Sequence, residues 1–202
     1  MASIIQQPGH SGSPASRLYA PLPFTILVDS AEQQPWRFTG MRSDANHQHR
    51  EYLIEPRDES NPDGKLAWVS LGRHPDSYGD YSVEGYVKQI AIERKSIDDC
   101  IGTVCGWGER RERFRKELEN LEKVNLYAKA ACVIVEGSFR ETIAAVQATP
   151  QKSQQENRNA FHRSIISFQQ DYAVPWFFCD SRRFAEVTAF RFLEKAWRKL
   201  NK

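Results

Sequence analysis

The stretch GDYSVEGYVKQIAIERKSIDD, Gly79 to Asp99, decides how this chain folds. It reads as strand, turn, strand and helix start. Tyr81, Ser82 and Val83 lead in. Glu84-Gly85 signals a turn, because glycine accepts positive φ without steric cost. Gln89 to Lys95 then alternates, with Ile90, Ile92 and Arg94 on one face and Ala91, Glu93 and Lys95 on the other. Ser96 stands as the cap of a helix over Ser96 to Cys105 whose apolar positions are Ile97, Ile101 and Val104. Asp98 and Asp99 fall in its first turn, where the helix dipole favours acids. One strand face therefore carries an acid and an ammonium side by side, and the neighbouring strand returns Asp80 toward them.

Two carboxylates can hold a hard divalent cation such as Mg²⁺, which takes oxygen ligands and keeps several waters. A lysine beside such a cation can orient a water or steady charge on a phosphate. Two readings follow from these residues alone. Glu93 and Lys95 can be an exposed strand pair, with Asp80 capping a turn. Or Asp80, Glu93 and Lys95 can be a centre for metal-dependent phosphodiester hydrolysis. Glu-x-Lys by itself is common on surfaces, so the flanking sequence has to decide.

Upstream, Phe24 to Asp29, FTILVD, is a short apolar run that delivers an acid to a sheet edge, where α/β sites often lie. Glu32 follows three residues later, in a loop marked by Pro35 and Gly40. Asp29 either caps that turn or joins Glu32 in adding acid to the centre. Residues 41–65 are polar. Glu51 to Pro56 and Leu66 to Leu71 are expected to pair as a hairpin around the Asn61–Gly64 turn. His47, His49 and His74 read as solvated loop residues.

Downstream, Glu109 to Asn125 is strongly helical, with Phe114, Leu118 and Leu121 forming a core stripe. Arg110, Arg111, Arg113, Arg115 and Lys116 crowd its first half. They form either a charged face balanced by neighbouring glutamates or a set of contacts to nucleic-acid phosphates. Ala130 to Glu136, AACVIVE, is the most apolar strand and should be central. Ser138 caps a helix from about Phe139 to Val146. A helix over Glu156 to Tyr172, a strand over Trp176 to Cys179 and a long helix from Ser181 to Leu200 complete the order. The last carries a stripe of Phe184, Val187, Phe190, Leu193, Trp197 and Leu200, which suits a core face or a dimer interface.

With 202 residues and 40% hydrophobic content, the chain can bury one real α/β core. Its net charge of +2 makes any basic surface a local one. Cys100, Cys105, Cys132 and Cys179 are scattered without zinc-site spacing and read as free thiols of a reducing compartment, which favours a cytoplasmic or nucleoid-associated protein. No apolar run reaches the roughly 20 residues of a membrane span. Residues 1–23 lack a signal-peptide pattern and read as a flexible tail, leaving 24–202 as the folded domain.

In order, these segments resemble the nuclease domain of XPF-type structure-specific endonucleases, a branch of the PD-(D/E)XK nuclease superfamily. VDSAE, Val28 to Glu32, is similar to a family strand ending Val-Asp-x-Arg-Glu. Gly79-Asp80 matches the family Gly-Asp, and Glu93-Arg94-Lys95 with Asp99 matches Glu-Arg-Lys-x-x-x-Asp. Arg113-Phe114 resembles the opening of the next helix, and VIVEG, 133 to 137, the next strand. The resemblance implies a restriction-endonuclease-like α/β core with a mixed central sheet flanked by helices. It implies an endonuclease for branched or flapped DNA in repair or recombination, using Mg²⁺ or Mn²⁺.

By the same resemblance, Asp80 and Glu93 would ligate the metal, with Asp29 acting directly or through water. Lys95 would position the attacking water. Glu32, Arg94 and Asp99 would support the site, and Arg113 would approach the DNA backbone. Ala31 departs from the family arginine and removes a cation from the site edge. A tandem helix-hairpin-helix module and a helicase region find no counterpart. Substrate choice would then come from this domain, a homodimer partner or another subunit. A non-catalytic DNA-binding scaffold and a sequence-specific restriction-like nuclease are the competing readings.

Overall fold

The computed structural model describes residues 19–42, 50–71, 79–106, 109–127, 130–148 and 154–202. His47, His49 and His74 lie outside them. The strands are β1 (Ile26–Asp29), β2 (Leu66–Val69), β3 (Tyr81–Val83), β4 (Ala91–Lys95), β5 (Ala131–Val135) and β6 (Trp176–Phe178). The helices are α1 (Ile97–Val104), α2 (Glu109–Tyr127), α3 (Phe139–Gln147), α4 (Gln154–Tyr172) and α5 (Arg182–Leu200).

The strands form one mixed sheet in the order β2-β1-β3-β4-β5-β6. β1 runs parallel to β2 and antiparallel to β3, and β3 is antiparallel to β4. β4, β5 and β6 are mutually parallel neighbours. Central parallel strands need cover on both faces, which explains why β4 and β5 are buried throughout. Strand alternation divides the core. Ile90, Ile92, Cys132 and Ile134 pack with Phe190 and Leu193 of α5. Ala91, Val133 and Val135 pack with Phe114, Leu118 and Leu121 of α2 and with residues of α1, α3 and α4. The expected α/β layering, with helices on both faces, is the one observed.

Local chemistry fixes the helix starts. Ser96 accepts from Asp99 N at the head of α1. Ser138 and Glu141 make a reciprocal capping box on α3, and Ser181 accepts from Phe184 N on α5. Cys100, Cys132 and Cys179 are buried free thiols and Cys105 is half-buried. Among the described residues no helix is long and apolar enough to cross a membrane.

Four expectations need correction. The second strand of the central stretch begins at Ala91 rather than Gln89, because Gln89 N and Ile90 N are taken by Tyr86 O in a turn. The hairpin over residues 51–71 does not form as a ladder. Pro56 removes a donor, and its contact with β2 shrinks to one parallel bridge, Pro56↔Leu66, while β2 pairs parallel with β1. The tail reading ends too late, since Leu22 is buried in the core and Ala20 N donates to Glu51 O at 2.9 Å. The α5 stripe holds from Val187 to Leu200 but fails at its first member: Phe184 is 54% exposed, and Ala185 and Ala189 face inward, small enough to bring the helix close to the sheet.

Candidate active site

The site is built where β3 begins and β4 ends. Asp80 N donates to Ile92 O at 2.7 Å, and Asp29 N donates to Asp80 O at 2.8 Å, so two acids from adjacent strands sit side by side. Gly79 makes this possible. Its φ is +80°, and a Cβ there would lie 2.5 Å from Ile92 O. Only glycine takes that conformation at that distance, so the residue before Asp80 is dictated by backbone geometry.

Alternation along β4 sends its charged residues to opposite faces. Glu93 and Lys95 turn toward α2. Lys95 Nζ donates to Glu93 Oε1 at 2.5 Å and lies 3.4 Å from Glu117 Oε2. It also sits 5.0 Å from the centre of the Phe114 ring. Arg94 turns the other way. Its guanidinium meets Glu136 at 2.8 Å and Glu32 at 3.0 Å, with all three side chains nearly buried. Its backbone N–H donates to Asp80 Oδ2 at 2.7 Å, locking that carboxylate to the strand.

A cleft of about 700 Å³ opens here, lined by Asp29, Glu32, Asp80, Glu93, Lys95 and Arg113 among others. Asp29 both faces this cleft and makes a turn, accepting from Ala31 N at 3.2 Å, so its two sequence readings are compatible. Asp99 lies at the exposed rim, 3.8 Å from Arg110. Arg110 and Arg113 line the cleft. Arg111 does not: it donates to Val104 O at 2.9 Å and covers the Phe168 ring. Arg115 pairs with Glu112 at 3.7 Å, and Lys116 is exposed. Neither lines the cleft.

Several participants were not evident in the sequence. Glu117 reads as one of many helix glutamates, yet it approaches Lys95. Glu136 anchors Arg94, accepts from Trp36 Nε1 at 2.6 Å and pairs with Arg182 at 2.8 Å. A signal existed for it: an acid ending an apolar strand parallel to β4. The loop after β1 is held by α5. Arg182 Nη2 donates to Gln34 O, Arg183 Nη2 to Thr39 O at 2.7 Å, and Glu186 Oε1 accepts from Arg37 N and Phe38 N. That grip stabilises Phe38 at φ +55°, a conformation that costs a non-glycine residue energy.

The electrostatics are those of crowded acids. Burial and the negative charge of Glu93 push Asp80 well above the usual carboxylate range. Burial pushes Glu93 up to about 7 against the pull of Lys95. Burial disfavours the Lys95 ammonium, but Glu93, Glu117 and Asp80 outweigh it and raise its pKa. Lys95 is therefore a fixed cation at neutral pH rather than a proton acceptor. Among the described residues no three His, Cys, Asp or Glu side chains converge as a ready metal cluster. The donor set nonetheless fits a hard divalent cation. It offers carboxylate oxygens from three strand ends, two of them held up in pKa by burial and by neighbouring acids, a repulsion that a bound cation relieves.

Residues 46–190 match the family model of the ERCC4 domain. The chain belongs to the ERCC4 domain family. The match to this ERCC4 domain starts after β1, so Asp29 and Glu32 lie outside it, while Asp80, Glu93 and Lys95 lie inside. Two solved structures are similar: XPF from Aeropyrum pernix, with a TM-score of 0.52, and the same protein in complex with DNA, with a TM-score of 0.50. Identity is 14% in both; the alignments cover 88% and 87% of this chain and 67% and 66% of those chains. The fold of this ERCC4 domain is thus that of an XPF-type nuclease domain. No curated protein matches the chain.

Proposed function

We propose that this domain is a DNA endonuclease that uses Mg²⁺ or Mn²⁺ to hydrolyse phosphodiester bonds, acting on branched or flapped DNA. The observation that carries the reading is the meeting of Asp80, Glu93 and Lys95 in one cleft with Asp29 and Glu32 beside them. Asp80, Glu93 and Asp29 would hold the cation. When bound, it lowers the pKa of water and neutralises charge on the phosphate. Lys95 holds a positive charge where the scissile phosphate gathers negative charge. Its position is set by Glu93, Glu117 and the Phe114 ring rather than by solvent. Water adds to phosphorus, the bond to the leaving sugar oxygen breaks, and that oxygen takes a proton. Arg113, exposed at the cleft and without an ion-pair partner among the described residues, is available to a DNA phosphate. The family likeness is what supports a preference for branched DNA and a homodimer or partner subunit that helps select it.

The test is cleavage of labelled flap, fork, junction and plain duplex DNA, with Mg²⁺, with Mn²⁺ and with EDTA. Metal-dependent cutting of branched substrates is expected, with losses on the order of 10²-fold or more in Asp80→Ala and Lys95→Ala. A second reading is a non-catalytic DNA-binding scaffold. It is favoured by the lack of a converged three-acid cluster among the described residues. Binding without cutting in either metal, unchanged in both variants, would establish it and refute the first.

A further inference from the structure

The cleft does not end at α1. A second groove, of about 820 Å³, lies among α1, α2, α3 and α4. Asp98 and Arg110 line both spaces, so the two join over the α1 turn that contains Gly102. The Arg110 guanidinium lies over Gly102, where a Cβ would come within 2.7 Å of its Nη1.

Beyond the junction the groove stays cationic. Arg111 is fixed in its wall by Val104 O and the Phe168 ring. Arg163 reaches it from α4, exposed and without an ion-pair partner among the described residues. Asp98 is the acid of the lining, at the end shared with the cleft. Among the described residues the apolar part of the lining is aliphatic, with Ile101, Val104 and Ala145. Guanidinium groups along a groove suit a sugar-phosphate backbone and carry no base identity of their own.

We propose that this groove carries the backbone of the DNA strand that passes through the cleft, with Arg110 at the junction and Arg163 as a phosphate contact beyond it. The proposal rests on the nuclease reading for the polymer that arrives. Its test is binding, measured apart from cutting.

The experiment is fluorescence anisotropy with a labelled flap oligonucleotide in EDTA, over a range of salt concentrations, for wild type, Arg163→Gln and Arg158→Gln. Arg158 is also exposed on α4 but does not line the groove, so Arg158→Gln loses the same charge in a different place. Arg163→Gln is expected to weaken binding several-fold and to lower the slope of log K against log salt by about 0.7 to 0.9, one phosphate contact. Arg158→Gln is expected to keep the wild-type slope. Equal behaviour of the two variants would overturn the groove, as would absence of wild-type binding. Cutting by wild type in Mg²⁺, measured in parallel, separates the two ideas: a wild type that cuts while Arg163→Gln binds normally leaves the nuclease reading intact and removes only this one.

Discussion

Arg94→Met isolates the buried ion network behind the cleft. Methionine keeps the apolar stem and the backbone N–H that Asp80 accepts, so only the guanidinium is lost. The consequences differ for its two partners. Glu136 retains Trp36 Nε1 and Arg182, whose side chain is 43% exposed. Glu32 loses its ion-pair partner while its side chain is only 9% exposed. Removing one partner of a buried pair costs about 3–5 kcal/mol, because an uncompensated charge stays out of water. For a domain of this size that converts to a fall in Tm of roughly 6–20 °C, at about 2–4 °C per kcal/mol. The assay is urea unfolding followed by tryptophan fluorescence, with Trp36 stacked on Tyr81 and within 5.8 Å of the guanidinium as an internal reporter. Adding Glu32→Gln to Arg94→Met removes the stranded charge, so the double variant should be less destabilised than the sum of the singles by about 0.5–3 kcal/mol. A loss below about 1 kcal/mol in Arg94→Met, or strict additivity in the double variant, would refute this account.

In EDTA, stability should fall as pH rises from the mid-fours through about 7. The sign follows from Glu93, whose folded pKa is raised to about 7, and from Asp80, raised in the same direction: the folded state holds protons that the unfolded state releases. Asp58, Glu84 and Glu141 are shifted down and stay ionised in both states above pH 5, so they do not mask the trend. Thermal melts at pH 5.5 and 8 check this, and Mn²⁺ should raise the melting point more at pH 8 than at pH 5.5; the reverse ordering would contradict it. Gly79→Ala should cost about 1–3 kcal/mol, since φ +80° and the 2.5 Å approach to Ile92 O leave no room for a methyl. Its cleavage rate should fall further than that of an equally destabilised variant distant from the cleft. Ser96→Ala removes the acceptor for Asp99 N and should cost about 1 kcal/mol by chemical denaturation, with metal-dependent cutting retained.

The local part of the site was legible. Gly79-Asp80, the alternation of Glu93, Arg94 and Lys95, and the Ser96 cap are set by residues within one strand pair and one turn, where backbone geometry dictates residue type. What escaped the sequence comes from long range. Glu117 meets Lys95 because α2 packs across β4, and Arg182 meets Glu136 because α5 lies on the opposite face. Neither follows from spacing. The pairing of β2 was misread because turn chemistry at Asn61–Gly64 argued for a hairpin, while an apolar β1 needed a partner on its free edge. The outward turn of Phe184 shows the same competition: a stripe of large residues predicts a face, but close approach of helix to sheet favours Ala185 and Ala189.

The grip of α5 on the loop after β1 has a consequence for how the domain is made. Arg37 and Glu186 are 149 positions apart, and that contact is among those that steady the segment carrying Glu32. Chains emerge from the ribosome N-terminus first. Asp29, Asp80, Glu93 and Lys95 all emerge long before Arg182 does. Until then Glu32 leans on Arg94, and Trp36 on Tyr81 and Glu136, without the clamp that α5 adds from the other side. A chain stalled or clipped ahead of α5 would hold every acid and the lysine, with the loop after β1 closed on one side only.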